Sequence, residues 1–234
     1  MKSRIIAITA VMVLVIAGAG LADTLEVIGA AAMEGSFGLR VNHDNTSTAY
    51  VQDNSPNEES IYRYEFLFNP NNISNGITSN WRHTIFWAQS ANPRPGNGIC
   101  PDGVNAKVFA TRVFLTLRQG GQTYGVRAVM MGNICGKLGT LNLDIPTNSP
   151  SKICGYFEQA TTPAGLGEHG LAVVGPTDAC PSHGSAAYDT NEIRNAELSV
   201  IQVQMGSLAV NTFNRGENGD LDFDQFASFR TLAP

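Results

Sequence analysis

The stretch VNAKVFATRVFLTLRQGGQTYGVRAVMM, residues 104–131, contains two runs in which apolar and polar side chains alternate. Alternation with a period of two is typical of a half-buried β-strand. Gly120 and Gly121, between the runs, suit a two-residue hairpin turn. That turn sets a register with three apolar pairs: Leu117 with Tyr124, Leu115 with Val126, and Val113 with Ala128. Both apolar sets then lie on one side of the sheet, so the stretch predicts an antiparallel hairpin with one buried face.

Short apolar or alternating runs recur along the chain, separated by segments rich in glycine, proline and asparagine. They predict further strands at 37–43, 48–53, 61–68, 84–88, 139–145, 153–159, 171–174, 198–205 and 221–229. Four aromatic residues share one face of the 61–68 strand and are predicted to lie in the core: Tyr62, Tyr64, Phe66 and Phe68. No stretch of ten or more residues has a helical period. The pattern predicts an all-β fold, a two-sheet antiparallel jelly-roll sandwich.

The N-terminal segment has the features of a secretory signal peptide. Lys2 and Arg4 precede an apolar run at 5–17, and small residues at 20 and 22 suit cleavage before Asp23. About 13 apolar residues are fewer than the roughly 20 that span a bilayer. We therefore predict a signal peptide at 1–22, a single β-sandwich domain at 23–234, and export to the periplasm or the extracellular space without membrane insertion after cleavage.

The charge balance disfavours two classes of partner. The chain has 15 basic and 20 acidic residues, a formal net charge of −5. Removal of the signal peptide takes away Lys2 and Arg4, which leaves 13 basic against 20 acidic residues, a charge of −7. An acidic chain without a basic stripe is a poor ligand for nucleic acid or for an anionic membrane. Neither is predicted as a partner.

The chain contains four cysteines, an even number that in an exported protein favours disulfides over metal binding or catalysis. The hairpin register brings Cys135 close to Cys100. Cys154 and Cys180 are equidistant from Gly167, in a glycine-rich segment that is predicted to be a turn. We therefore predict the disulfides Cys100–Cys135 and Cys154–Cys180. No two cysteines have the close CxxC-like spacing of zinc sites.

A set of segments across most of the chain carries a family resemblance. They are GSFGL (35–39), TAYVQD (48–53), SPN (55–57), YRYEF (62–66), ATRVFLTL (110–117), QMGSL (204–208) and LDFDQF (221–226). In this order they resemble uncharacterised exported bacterial proteins with a concanavalin A-like, laminin G-like jelly-roll domain. The resemblance implies the same sandwich fold. Its motifs are structural, so it implies no catalytic residues.

The sequence lacks the motifs of two common hydrolytic mechanisms. Glucanases of the concanavalin A-like superfamily use a Glu-x-Asp-x-x-Glu strand, and α/β-hydrolases use a Gly-x-Ser-x-Gly elbow; neither occurs here. The leading hypothesis is therefore a non-catalytic secreted module that binds a glycan or another component of the cell surface or envelope. One alternative is a structural or adhesive extracellular protein without a small ligand. The other is a glycoside hydrolase-like enzyme with an unrecognised carboxylate pair.

Three carboxylates near the C-terminus recur with the period of a strand: Asp220, Asp222 and Asp224. Crowded carboxylates supply hard oxygen ligands, and a divalent cation relieves their repulsion. The segment is not an EF-hand, because Gln225 stands where the turn glycine would be required. These residues are predicted as a structural calcium site, with a solvated strand face as the alternative. No other cofactor is predicted.

Two tryptophans and two histidines are the remaining candidates. Trp81 lies between polar residues and is predicted to face a ligand, whereas Trp87, near the end of a strand, is predicted to be buried. His169 and His183 flank Cys180 without a spacing that would place them on one face. They are predicted to be histidines of surface loops.

Overall fold

The computed structural model of the protein describes residues 24–43, 47–71, 73, 81–90, 109–117, 124–131, 138–195, 198–208 and 219–231. These residues form thirteen strands and a short 3-10 turn at Gly29–Ala31. In chain order, the strands are β1 (Thr24–Ile28), β2 (Gly38–His43), β3 (Ala49–Asp53), β4 (Ile61–Asn69), β5 (Trp81–Ser90), β6 (Phe109–Leu117), β7 (Tyr124–Met131), β8 (Leu138–Ile145), β9 (Ser151–Glu158), β10 (Gly167–Val174), β11 (Asp189–Ile193), β12 (Val200–Ser207) and β13 (Gly219–Phe229).

The strands form two antiparallel sheets. The seven-stranded sheet has the order β1-β2-β13-β4-β9-β10-β11, and the six-stranded sheet has the order β3-β12-β5-β6-β7-β8. Strands from the two ends of the chain are neighbours, since β13 pairs with β2 and β12 pairs with β3. The prediction of an all-β, two-sheet sandwich is confirmed. Within the described ranges, no helix is both long and apolar enough to cross a membrane.

The central hairpin has the predicted register. β6 and β7 pair Leu117 with Tyr124, Leu115 with Val126 and Val113 with Ala128. The side chains of Val113, Leu115, Val126 and Ala128 are fully buried between the sheets. The turn residues Gly120 and Gly121 lie outside the described residues. The alternation in the sequence therefore identified the buried face of this hairpin.

The predicted aromatic row on β4 forms the centre of the core. Tyr62, Tyr64, Phe66 and Phe68 are all fully buried. Tyr64 stacks across the sandwich on Phe86 of β5, with 4.2 Å between ring centroids. Gly155 of β9 lies against the Tyr64 ring, where a Cβ atom would overlap it. Burial of each large apolar side chain contributes about 1.5 to 3 kcal/mol, so this row is a main source of stability.

Two edge strands were not predicted. β1 and β11 are each five residues long, and most of their side chains are exposed or half-buried. The apolar signal of a strand is weak where the strand borders solvent, because fewer of its positions must be apolar. The second predicted hairpin is present, since β9 pairs with β10.

The disulfide Cys154–Cys180 is present, with 5.8 Å between the Cα atoms. The pairing was predicted for a wrong reason, because Gly167 begins β10 rather than marking the middle of the turn. In the sheet Cys154 faces Ala172, so Cys180 reaches back from the segment that follows β10. A loop of 26 residues gives a chain-entropy contribution of about 3.5 kcal/mol. Cys100 and Cys135 lie outside the described residues, so their bond stays a prediction.

His169 is not the loop histidine that the sequence predicted. It occupies an inward position of β10 and is completely buried. Among the described residues, neither ring nitrogen of His169 has a hydrogen-bond partner. Burial lowers the pKa of His169 to about 4, because the charged imidazolium would lose its hydration. His169 is therefore neutral in the folded protein at neutral pH.

This burial predicts a loss of stability in acid. In the unfolded chain the pKa of a histidine is about 6.5. Between pH 6.5 and 4, the unfolded state therefore binds a proton that the folded state does not bind. Stability should fall as the pH decreases from about 6.5 to about 4, by on the order of 3 kcal/mol from this residue. We expect His169→Gln to remove that part of the pH dependence in urea denaturation between these limits. Asn148→Ala, an exposed loop position, is the control, and an unchanged profile in His169→Gln would contradict the assignment.

Candidate functional site

The outer face of the six-stranded sheet carries an unusual concentration of amide, aromatic and guanidinium groups. Strand alternation places them there, because their neighbours along each strand point into the core. We call this surface the polar face and define it by the outward residues Tyr50, Gln52, Asn54, Arg82, Thr84, Trp87, Arg112, Phe114, Arg127, Asn142, Gln202 and Gln204. It extends from β3 at one edge to β8 at the other.

Four amide side chains on one half of the polar face form a hydrogen-bonded amide ladder: Gln52, Asn54, Gln202 and Gln204. Gln204 Nε2 donates to Gln52 Oε1 at 2.7 Å. Asn54 Oδ1 accepts from Gln52 Nε2 at 2.8 Å and from Gln202 Nε2 at 2.7 Å. These bonds hold the four groups in fixed orientations at the surface. These bonds use neither Asn54 Nδ2 nor Gln204 Oε1.

Arg112 lies next to the amide ladder, with its guanidinium over two aromatic rings. Its guanidinium carbon is 4.4 Å from the centre of the Phe114 ring and 5.2 Å from that of Trp87. Its Nε and Nη2 both donate to Thr84 Oγ1, at 3.0 and 2.5 Å. Burial, and then the nearby charge of Arg82, lower the pKa of Arg112 to about 10. At neutral pH the guanidinium remains charged, so this part of the face is positive.

Arg127 extends the positive region across β7. Its Nε donates to Asn142 Oδ1 at 2.7 Å. The outward charged side chains of the described six-stranded sheet are thus Arg82, Arg112 and Arg127 against Asp144. In a chain with a net charge of −5, this local excess of positive charge favours an anionic ligand.

The outer face of the other sheet is mainly acidic. Its outward acidic residues are Glu26, Glu65, Glu158, Glu168, Glu192, Asp220, Asp222 and Asp224, and its outward basic residues are Arg40, Arg63 and Lys152. The two outer faces therefore differ in sign.

The seven-stranded sheet also holds a cluster of titratable side chains. Glu158 of β9 and Glu168 of β10 are direct cross-strand neighbours. His183 Nε2 lies 3.7 Å from a carboxylate oxygen of Glu158 and 3.8 Å from one of Glu168. The hydroxyl of Tyr156 donates to Glu168 Oε1. The segment that carries His183 is joined to β9 by the disulfide Cys154–Cys180.

The predicted calcium residues lie at alternate positions of β13 and face cationic and neutral donors. Arg40 donates from Nε and Nη2 to the two oxygens of Asp222, each at 2.8 Å, and Asp222 is only 4% exposed. Arg40 Nη1 also lies 3.0 Å from Asp220 Oδ2. Asp224 accepts from the backbone N–H groups of residues 33 and 34. Arg40 thus supplies much of the charge neutralisation that calcium was predicted to provide.

A calcium site at these residues stays a prediction. In the described part of the chain, no group of three or more His, Cys, Asp or Glu side chains is arranged to hold a metal ion. Trp81, predicted to face a ligand, is the first residue of β5. Its side chain lies outside the described part of the structure, so its role stays a prediction. Trp87 is half-buried beneath Arg112 rather than enclosed in the core.

Sequence reasoning missed the polar face. The alternation of Gln202 and Gln204 with apolar residues was visible, as was the outward position of Arg127. What was not visible is that β3, β12, β5 and β6 are neighbours, since β12 lies more than a hundred residues from the strands on either side of it. Only that pairing brings Gln52, Gln204, Trp87 and Arg112 into one row.

Solved structures with the same fold include two polysaccharide lyases. The endo-β-1,4-glucuronan lyase from the fungus Trichoderma reesei matches 89% of this chain over 87% of its own length, with a TM-score of 0.56 and 13% sequence identity. An alginate lyase from Chlorella virus matches 88% of this chain over 88% of its own, with a TM-score of 0.51 and 11% identity. Neither the comparison with protein-family models nor that with curated proteins gives a match.

These neighbours correct the prediction of a non-catalytic module, because this fold is shared with enzymes that cleave polysaccharides. The prediction was wrong because it rested on the absence of a glucanase carboxylate motif and a serine elbow. A lyase cleaves by elimination, which requires a base and a group that stabilises developing negative charge. Neither missing motif is needed for that reaction.

The contact between Arg40 and Asp222 predicts a large stability effect. Arg40→Gln leaves a buried carboxylate without its cation, so we expect the free energy of unfolding to fall by about 3 kcal/mol. Urea denaturation at neutral pH measures it, with the exposed Arg194→Gln as the charge-matched control. Equal stability of the two variants would contradict this role. Calcium-dependent stabilisation of the wild type that a chelator reverses would establish the calcium site.

Proposed function

We propose that this protein is an exported polysaccharide lyase that binds a carboxylate-bearing polysaccharide across the polar face. The observation that carries the proposal is the position of Arg112 over Phe114 and Trp87, with Arg82 close enough to lower its pKa. A guanidinium pairs with a carboxylate through parallel N–H donors, and aromatic rings pack against the apolar faces of sugars.

The chemistry of elimination explains why arginines would matter. In a uronate a base takes up the proton on the carbon next to the carboxylate, and the electron pair of that carbon–hydrogen bond forms a carbon–carbon double bond. The glycosidic oxygen leaves with the electron pair of its own bond and takes up a proton from water or from the protonated base. Negative charge develops on the carboxylate as the proton departs. A partly buried guanidinium stabilises that charge more than an exposed one, because less water screens it. Arg112, half-buried in the polar face, would fill this role, with Arg82 supporting it.

The solved neighbours support the choice of reaction without deciding it. Glucuronan and alginate, which the two neighbours' names give as their substrates, are polymers of carboxylate-bearing sugars. The positive sign of the polar face suits such a polymer, whereas the acidic outer face of the seven-stranded sheet would repel it. Export, predicted from the N-terminal segment, would bring the enzyme to polysaccharides outside the cell.

An eliminative assay tests the proposal. Incubation with glucuronan or alginate should release products whose new double bond absorbs in the ultraviolet. We expect Arg82→Gln to lower kcat/KM about tenfold, the loss of one charge-assisted contact, and Arg112→Gln to lower it further. Arg194→Gln removes the same charge at an exposed position outside the polar face and should leave activity unchanged.

The proposal would be overturned if no carboxylate-bearing polysaccharide yields an unsaturated product. It would equally fail if both arginine variants, shown to be folded by thermal melting, kept wild-type kcat/KM.

Glycoside hydrolysis at the Glu158–Glu168 pair is the second candidate function. The observation that favours it is the direct cross-strand pairing of the two carboxylates, with a tyrosine hydroxyl bonded to one of them. Cross-strand neighbours have Cβ atoms about 4.5 to 5.5 Å apart, and retaining glycosidases hold two carboxyl groups about 5 to 5.5 Å apart.

The two functions differ in their products. Hydrolysis should release reducing ends without ultraviolet absorbance, and Glu168→Gln should reduce it at least a hundredfold because acid–base assistance is lost. Glu26→Gln, an exposed position on β1, is the matched control. Unsaturated products that depend on Arg82 and not on Glu168 would exclude the hydrolase.

A further inference from the structure

Residues 175–188, between β10 and β11, lie against the outer face of the seven-stranded sheet, and we call this segment the cover. Cys180 of the cover is bonded to Cys154 of β9. Tyr188, at the end of the cover, packs edge-on against Tyr156 of β9, with 5.1 Å between the ring centroids. Cys154 and Tyr156 occupy alternate positions of one strand, so both attachments are on the same side of the sheet.

The cover and the strands beneath it share a small hydrophobic cluster that is separate from the main core. Its buried or partly buried members are Cys154, Tyr156, Ala172, Val174, Cys180 and Tyr188. Segments that have few contacts with the main core open locally, at a lower cost in free energy than unfolding of the whole domain. The cover can therefore open while the two sheets stay packed.

Few noncovalent contacts hold the cover closed. Within the described chain its backbone hydrogen bonds are internal, for example from the N–H of Asp178 to Gly175 O and from that of Tyr188 to Ser185 O. Lys152 Nζ of β9 donates to Asp178 O at 2.5 Å. The hydroxyl of Tyr188 is buried without a hydrogen-bond partner among the described residues. A buried unpaired hydroxyl destabilises the closed position, so closure depends mainly on the disulfide.

His183 places the cover over the carboxylate pair without fixing it there. Its Nε2 lies 3.7 Å from a carboxylate oxygen of Glu158 and 3.8 Å from one of Glu168. Both distances are longer than a hydrogen bond. All three side chains are partly exposed, and water weakens an ion pair at such positions.

Tyr156 is held by the sheet rather than by the cover. Its ring lies against Gly170 of β10, at a place where a Cβ atom would overlap the ring. Its hydroxyl donates to Glu168 Oε1, also on β10. Opening of the cover would therefore expose an aromatic ring and a carboxylate that keep their positions.

We infer that the cover is a redox-controlled device, closed by the Cys154–Cys180 disulfide and open in the dithiol form. A thiolate of a dithiol reductant attacks the sulfur of Cys180, which is only partly buried, whereas Cys154 is completely buried. Cys154 leaves as a thiolate and takes up a proton. The second thiol of the reductant then displaces Cys180, which also takes up a proton, and the reductant becomes a disulfide.

This inference is independent of the lyase proposal, because the polar face belongs to the other sheet. It adds control of access to the Tyr156–Glu168 contact and to the neighbouring Glu158. An oxidising exterior would keep the cover closed. A reducing environment would open it.

Chymotrypsin, which cuts after aromatic residues, tests the inference at Tyr188. We expect dithiothreitol to raise the rate of cleavage after Tyr188 about tenfold or more, because cleavage follows the population of the open form. The far-ultraviolet circular dichroism of the sheets should be unchanged, and reoxidation should restore slow cleavage. The double variant Cys154→Ala/Cys180→Ser should be cut rapidly without reductant. Ser182→Ala, an exposed position of the cover, is the matched control and should be cut slowly.

Two results would overturn the inference. One is an unchanged rate of cleavage after Tyr188 in the reduced protein. The other is loss of the β-sheet spectrum in the reduced protein and the double variant alike, because the disulfide would then stabilise the whole sandwich rather than the cover. Neither result bears on the lyase proposal, which the release of unsaturated products tests separately.

Discussion

The stacking of Tyr64 on Phe86 across the sandwich is the contact on which the other features depend. It joins β4 of one sheet to β5 of the other, with 4.2 Å between the ring centroids, and Phe66 and Phe223 extend the aromatic contact on the same side of β4. Gly155 leaves room for the Tyr64 ring. Because successive side chains of a strand point to opposite faces, burial of this row determines which residues reach solvent. Burial of Phe86, for example, turns Trp87 to the polar face.

The charged side chains of the two outer faces have different kinds of partner. On the seven-stranded sheet, Arg40 neutralises the aspartates of β13 within the protein, so the most buried carboxylate already has its partner. On the six-stranded sheet, the arginines contact aromatic rings and neutral oxygens at Thr84 and Asn142. These contacts position the guanidiniums on the polar face. The opposite signs explain why we assign an anionic polymer to the polar face.

Prediction from sequence succeeded where a local pattern had one physical explanation. The β6–β7 register and the buried aromatic row of β4 followed from period-two alternation, which a sandwich core imposes on each strand separately. Prediction failed at His169, which was assigned to a surface loop. A short strand that contains glycines has the composition of a turn, and no sequence pattern shows that a neutral imidazole is buried. It failed for function because the absence of known hydrolase motifs was read as the absence of catalysis.

The sequence by itself determined the class of fold, the buried face of its main strands and the acidic balance of the chain. These properties depend on residue type and on spacing between near neighbours. Only the tertiary structure decided that β12 lies between β3 and β5, and hence that Gln52, Gln204, Trp87 and Arg112 form one row. The physical reason is that pairing between strands distant in sequence depends on how the whole core packs, which no local pattern specifies.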